Sequence, residues 1–274
     1  MTPPYPMDFG AKRPQPELHT FTLRGHMDLG LSGRVALVTG ASKGIGRGIA
    51  AELVSEGARV AISSRSRERI EAAAREIGAA PFVHDSADLD AVPEFLSAVE
   101  SELGQVEVYV ANTGGPPYGP PLDFTREQWE AAYRELVLAP IAIIEEVVPG
   151  MRDRGFGRIL SVASSAVREP IQPLILSNSH RAALLGALKT LAREVAGDGV
   201  TVNSVLPGRI ATDRMIDSAG SRENAERAAA ELVPAGRLGT VEEMAAVAAF
   251  LCSERASYVT GTTVLVDGGV TQSV

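Results

Sequence analysis

Cysteine is nearly absent from this chain of 274 residues, and lysine is scarce: Cys252 stands alone, and the lysines are Lys12, Lys43 and Lys189. One cysteine excludes an intrachain disulfide framework. Cys252 follows an apolar stretch of helical character, Met244 to Leu251, which predicts a buried structural thiol rather than a nucleophile. Long apolar runs are also missing, and none reaches the roughly 18 residues of a bilayer-spanning helix. Positive charge is outnumbered, with 26 Lys and Arg against 34 Asp and Glu and a net charge of -8. That balance removes the basic surface of a nucleic-acid binder, and the acids are dispersed rather than gathered in a tail. A cytoplasmic protein is expected, with small molecules and copies of itself as partners and with no nucleic acid, membrane or metal site.

What is present describes a folded domain: 45% of residues are apolar, and mean hydropathy is +0.06, enough for one large α/β core. Residues 1–27 stand apart, with Pro3, Pro4, Pro6, Pro14 and Pro16 and no periodicity. They read as a flexible leader that lacks the apolar core of a signal peptide, and Gly25-His26-Met27 resembles a cloning junction or a misplaced start. Residues 28–274 read as the domain. From Arg34 onward, β-branched runs begin at 35, 59, 81, 106, 158, 200 and 262, separated by segments of helical period. Near-continuous apolar runs indicate strands covered on both faces, so a single doubly wound, seven-stranded parallel sheet is predicted. The first helix shows an apolar face through Ile49, Leu53 and Val54 and stops at Gly57.

Between the first strand and that helix lies Thr39-Gly40-Ala41-Ser42-Lys43-Gly44-Ile45-Gly46. Glycines here allow a tight turn and let a pyrophosphate approach backbone N–H groups at a helix N-terminus, where the dipole favours negative charge. Three glycines alone are a weak signal; a strand before and a helix after make it a Rossmann-type dinucleotide cradle. Gly40, Ser42, Lys43, Gly44, Ile45 and Gly46 are the candidate phosphate-facing residues.

The glycine spacing, three residues and then one, is joined by four further motifs in order. Asp85-Ser86 follows the third strand, Ala111-Asn112-Thr113-Gly114 the fourth, Pro207-Gly208-Arg209-Ile210-Ala211-Thr212 the sixth, and Asp267-Gly268-Gly269 ends the last. From about Leu31 to Gly269 the chain resembles the short-chain dehydrogenase/reductase family, with its 3-oxoacyl thioester reductases as the nearest general likeness. The resemblance implies adenine contact at Asp85 and Ser86 and cofactor contact at Asn112 and Gly114. It also implies that Pro207, Gly208, Ile210 and Thr212 lie against the nicotinamide carboxamide and pyrophosphate. It further implies a homotetramer or homodimer packed through the helices from Thr125 and Leu174. The apolar face Ile141, Ile144, Val147, Val148 is equally explained by burial within one subunit.

An NAD-preferring site carries an acid at the end of the second strand, where this chain has Ser63-Ser64-Arg65. Arg65 and Ser64 suit a 2′-phosphate, and Lys43 adds a second cation, so NADP(H) is the expected cofactor. The competing reading leaves both cations as solvated surface groups.

The family's reductases use tyrosine as acid, lysine at the cofactor ribose, serine to position the carbonyl and asparagine to hold a water. Aligning Leu188 to Glu194 with the family's helix puts Ser177 at the tyrosine position, Arg181 at the lysine, Ser164 at the serine and Val137 at the asparagine. None of Tyr5, Tyr109, Tyr118, Tyr133 and Tyr258 has a lysine four residues on, so the pair is absent rather than shifted. Ser177 and Arg181 lie one helical turn apart on one face. A serine hydroxyl has no accessible ionisation at neutral pH, but arginine can donate to ribose hydroxyls, where Arg181 is also a cofactor-binding candidate, or to a developing oxyanion. His180 and Tyr118 are the alternative acids; the competing readings are a packing histidine and a lid or stacking tyrosine. Arg168 and Glu169 read as a solvated charged pair.

Residues 210–236 are expected to form the substrate lid, with Met215 and Ile216 as an apolar wall. The function expected is NADP(H)-dependent interconversion of a carbonyl and an alcohol. The rival is an NADP(H)-binding sensor or a catalytically silent subunit, and a third reading is elimination or isomerisation with Arg181 as an oxyanion clamp.

Overall fold

The computed structural model of the chain describes residues 27–273, so the leader expected over 1–27 falls outside it except for Met27. Seven parallel strands, β1 (Val35–Val38), β2 (Arg59–Ser64), β3 (Ala80–Val83), β4 (Val108–Asn112), β5 (Gly157–Val162), β6 (Val200–Pro207) and β7 (Thr263–Val266), form one sheet in the order β3-β2-β1-β4-β5-β6-β7. The chain winds outward in both directions from the β1–β4 boundary. Such a switch point leaves a crevice at the carboxyl ends of the strands.

Position in the sheet explains the strand patterns. Every residue of β1 and β5 is buried, because helices cover both faces there. The edge strand β3 alternates instead, sending Phe82 inward to meet Phe95 edge-on at 6.2 Å.

One apolar layer is built by α1 (Gly44–Ser55) and α9 (Val241–Cys252), with Ile49, Leu53, Met244 and Leu251 against Val38 and Ile62. Cys252 sits fully buried in it. The opposite layer comes from α3 (Val92–Leu103), α5 (Ala139–Asp153) and α6 (Ile175–Val195), with Leu96, Ile143, Val147, Leu184 and Leu188 against Leu37, Tyr109 and Ile159. Each such side chain contributes roughly 1.5–3 kcal/mol when removed from water. Ile144, Val147 and Val148 are buried here within one chain, so that face needs no partner subunit.

α2 (Arg67–Ile77) completes the β2–β3 crossover, capped by Ser66. α4 (Arg126–Tyr133) begins at a reciprocal Thr125–Gln128 capping box and runs into α5 through a π-helical turn, Arg134–Leu138. Pro140 supplies a local cause, since it has no N–H for Leu136, and the Ala139 N–H bonds back to Arg134 instead. Val137 is buried inside this turn. No helix among the described residues is long and apolar enough to cross a membrane.

Arg168 and Glu169 are not simply solvated. Arg168 Nη2 donates to Thr263 Oγ1 at 2.8 Å, and Glu169 Oε1 accepts from the Gln272 and Ser273 N–H groups at 2.6 Å each, tying down the C-terminal segment.

Candidate active site

The glycine turn is shaped from below by Asn112. Its Nδ2 donates to the Thr39 and Gly40 carbonyls at 3.2 and 2.9 Å, joining the end of β4 to the turn after β1. A Cβ on Gly40 would lie 2.6 Å from the Asn112 carbonyl oxygen, and one on Gly46 would lie 2.5 Å from Asn112 Nδ2. Gly40 and Gly44 also take φ of +59° and +60°, the left-handed region that glycine enters without strain. Asn112 thus braces the cradle as its principal visible role.

Above it, α1 starts at Lys43 with no side-chain cap and no acid in its first turn. Its leading N–H groups, among them those of Ile45 and Gly46, remain for an anion. Ser42 is half-buried beside them. These residues fit a dinucleotide pyrophosphate.

At the outer end of β2, Arg65 is exposed and has no ion-pair or hydrogen-bond partner among the described residues, while Ser64 Oγ donates to the Ser66 carbonyl at 3.4 Å. Lys43 is engaged: its Nζ lies 3.3 Å from Asp213 Oδ2, with both side chains more than half exposed. Asp85 accepts from the Ala87 N–H at 3.0 Å, a turn that leaves its exposed carboxylate beside the half-buried Ser86.

The second cluster surrounds Arg181, which is 9% exposed on α6. Its Nε donates to Ser177 Oγ at 3.1 Å, Nη1 to the Val162 carbonyl at 2.8 Å and Nη2 to the Gly114 carbonyl at 3.0 Å. The side chain therefore spans the carboxyl ends of β4 and β5 beside the crevice. Burial, with the charge of Arg214 added, lowers its pKa from 12.5 to about 10, so it remains cationic at neutral pH. Ser164 lies at the end of β5, where its Oγ accepts from the Ala166 N–H at 3.1 Å and caps a short helical turn.

Of the alternative acids, His180 turns away from this pair and Tyr118 lies against Arg214. His180 faces α4: Nδ1 is 2.7 Å from the Leu176 carbonyl, and its ring lies 5.4 Å from Trp129 and 6.0 Å from Tyr133. No hydrogen bond joins it to Ser177 or Arg181. Tyr118 is 48% exposed at the rim, with the Arg214 guanidinium 4.9 Å from its ring centroid.

The segment after β6 forms the far wall. The Gly208 N–H donates to the Val266 carbonyl at 3.0 Å, and a Cβ at Gly208 would lie 2.6 Å from Asp267 Cβ. Pro207 ends β6, Ile210 bridges to Gly239, and Thr212 caps α7 (Asp213–Ala219) beside Gly44. Met215, expected with Ile216 as an apolar substrate wall, is partly buried from below. It packs with Ala225, Ala229, Val233 and Leu238 in a small apolar core shared by α7 and α8 (Arg222–Leu232). A cavity of about 430 Å³ lies on the other flank of this segment, between Ile210, Arg237 and Asp267, and includes none of Ser164, Ser177 and Arg181.

Arg214 is the residue that sequence reasoning passed over. From α7 it donates to the Gly115 and Pro116 carbonyls at 3.0 Å each, tying α7 to the loop after β4. In the sequence it is one charge among many in a mixed segment, and only the close pass at Gly115, where a Cβ would overlap its guanidinium, marks it.

A family model described as enoyl-(acyl carrier protein) reductase matches residues 40–271. The NADPH-dependent reductase BacG of Bacillus subtilis is 33% identical over 262 residues, covering 89% of this chain and 100% of that one. Human dehydrogenase/reductase SDR family member 4 is 36% identical over 251 residues, 87% of this chain and 88% of the other. The crystal structure of L-sorbose reductase from Gluconobacter frateurii, complexed with NADPH and L-sorbose, superposes with a TM-score of 0.84 at 34% identity, covering 90% of this chain and all of that one. The chain belongs to the short-chain dehydrogenase/reductase family, oxidoreductases that act on carbonyls and alcohols with a nicotinamide cofactor.

Proposed function

We propose that the chain is an NADP(H)-dependent oxidoreductase that interconverts a carbonyl and an alcohol without a tyrosine acid. The observation that carries this reading is the Arg181 Nε–H donated to Ser177 Oγ at 3.1 Å beside the crevice. The nicotinamide, when bound, supplies or accepts hydride. Gly40, Gly44, Ile45 and Gly46 would hold the pyrophosphate, and Arg65 with Ser64 would take the 2′-phosphate. Ser177, its oxygen already accepting from a cation, keeps its own proton to donate to the substrate carbonyl oxygen. Arg181 stabilises the negative charge that develops there, and water completes the protonation. Ser164, its oxygen on the Ala166 N–H, also keeps its proton as a second donor.

A single buried cysteine, which offers no disulfide framework, suits a cytoplasmic setting. Ala182, Ala183, Gly186 and Ala187 leave a face of small exposed residues on α6, which suits self-association as a homodimer or homotetramer.

The test is NADPH oxidation by the purified protein with 3-oxoacyl thioesters, diketones and aldehydes, with NADPH and NADH binding measured in the same sample. Turnover, with NADPH bound in preference to NADH, is expected. Tight NADPH binding without turnover on any carbonyl would replace this reading with the sensor or silent subunit.

A further inference from the structure

Arg181 and Arg214 reach the same short segment from opposite sides. Arg181 Nη2 takes the Gly114 carbonyl at 3.0 Å, and Arg214 Nη1 and Nη2 take the next two carbonyls, of Gly115 and Pro116, also at 3.0 Å. Gly115 is needed for this seat, because a side chain there would occupy the place of the Arg214 guanidinium. At Gly114, by contrast, an added Cβ would meet nothing within 4 Å, so there is open space beside that carbonyl.

Every acceptor on the two arginines is neutral: four backbone carbonyls and the Ser177 hydroxyl. No carboxylate among the described residues lies within ion-pair distance of either. Asp213, adjacent to Arg214 in sequence, turns to Lys43 instead. Two neighbouring like charges, one of them nine-tenths buried, disfavour each other and are costly to desolvate without a counter-charge. Arg181 uses three of its five N–H donors within the protein, which leaves two for a ligand.

We infer that the Arg181–Arg214 pair receives a carboxylate of the substrate, so that the protein acts on small oxo acids and hydroxy acids rather than on neutral ketones. A guanidinium presents the planar donor fork that a carboxylate matches. The pair closes on the segment after β4, whereas the glycine turn and Arg65 follow β1 and β2; the start of α7 reaches the glycine turn through Lys43–Asp213 and Thr212 beside Gly44, so the experiment has to separate a substrate carboxylate from the cofactor phosphates. Ser177, on Arg181 Nε, then stands where a carbonyl one or two carbons from that carboxylate would lie. The inference rests on the oxidoreductase reading for its chemistry. The C=O π bond is reduced by the nicotinamide's hydride and a proton from water, giving a hydroxy acid and oxidised cofactor, while the carboxylate is unchanged.

The experiment is calorimetric titration of the protein, saturated with NADP⁺, with 2-oxobutanoate, 3-oxobutanoate and their methyl esters. At least one acid is expected to bind about tenfold or more tightly than its ester, since the ester offers the arginines no charge. Arg214→Gln should bring acid and ester within about threefold of each other, Arg214→Lys should keep part of the preference, and NADP⁺ affinity should stay within about threefold in both. Equal or absent binding of the acids overturns the inference. So does an Arg214→Gln variant that loses NADP⁺ affinity tenfold and keeps the acid preference, which would give the pair to the cofactor phosphates. NADPH turnover measured alongside separates the two readings. Tight acid binding without turnover removes the oxidoreductase and leaves the anion site, whereas turnover of neutral carbonyls without acid preference does the reverse.

Discussion

Arg181 has three acceptors to satisfy, and its geometry decides what replaces it. Lysine carries a point ammonium on a shorter reach and cannot meet a hydroxyl at 3.1 Å and two carbonyls at 2.8 and 3.0 Å in the same directions. Arg181→Lys should therefore leave at least one buried acceptor unpaired and lower stability by about 1–3 kcal/mol, read from the urea midpoint at unchanged slope. Restoring the family's lysine alone should not restore the family's site. Ser177→Ala removes the proposed donor to the carbonyl oxygen and leaves Arg181 in place; kcat should fall about a hundredfold with KM nearly constant, and an unchanged kcat would remove Ser177 from the mechanism. That Ser177 and Arg181 share one face a turn apart was legible in the sequence, through the alignment of Leu188 to Glu194 with the family's helix. Arg214 and the bracing role of Asn112 were not. Each acts on a backbone carbonyl distant in sequence, Gly115 or Gly40, and no local spacing encodes such a contact.

At the scale of elements, the uncapped start of α1 suits the pyrophosphate that both dinucleotides share, and the end of β2 is where a 2′-phosphate would be told from a hydroxyl. Lys43 was expected at the 2′-phosphate, but it pairs with Asp213 across the lid. The pair is more than half exposed, and such pairs contribute about 0–1 kcal/mol, too little to hold Lys43 from a phosphate. The proposed preference for NADP(H) then rests first on Arg65, which is exposed and free of any acid among the described residues, with Lys43 as a second cation within reach. A charged hydrogen bond lost there corresponds to about 1.5–3 kcal/mol. Arg65→Gln should accordingly weaken NADPH binding about tenfold to a hundredfold in a fluorescence titration and leave NADH binding within about twofold. Equal weakening of both would place Arg65 away from the 2′-phosphate. The segment after β6 was legible as a separate stretch but not in its packing. Its apolar residues read as a substrate wall, yet Met215 joins Ala225 and Ala229 because two short helices must bury their apolar sides on each other before anything else.

For the molecule as a whole, alternating β-branched and helical segments sufficed to read seven parallel strands, because buried parallel strands are apolar throughout and their crossovers are long. The same thorough burial predicts how the fold responds to alkali. Cys252 lies between α9 and the sheet, and burial raises its pKa from 9.0 to about 12, while burial also pushes Tyr109 upward from 10.0. A group whose folded pKa is raised stabilises the fold fully below its unfolded pKa and loses that contribution as pH climbs toward the folded value. Between pH 8 and 10 the unfolded thiol ionises and the folded one does not, which corresponds to about 1.4 kcal/mol lost. Arg181 acts in the opposite sense and is half deprotonated by pH 10, which offsets part of this loss in the wild type and in a thiol variant alike, so the difference between the two proteins isolates the thiol. Thermal unfolding should therefore move to lower temperature from pH 8 to pH 10. In Cys252→Ala that displacement should shrink even though the variant, with a cavity in its core, melts lower at both pH values. An equal displacement in the two proteins would mean that the thiol reaches water before the fold is lost, and that the α9 layer opens on its own.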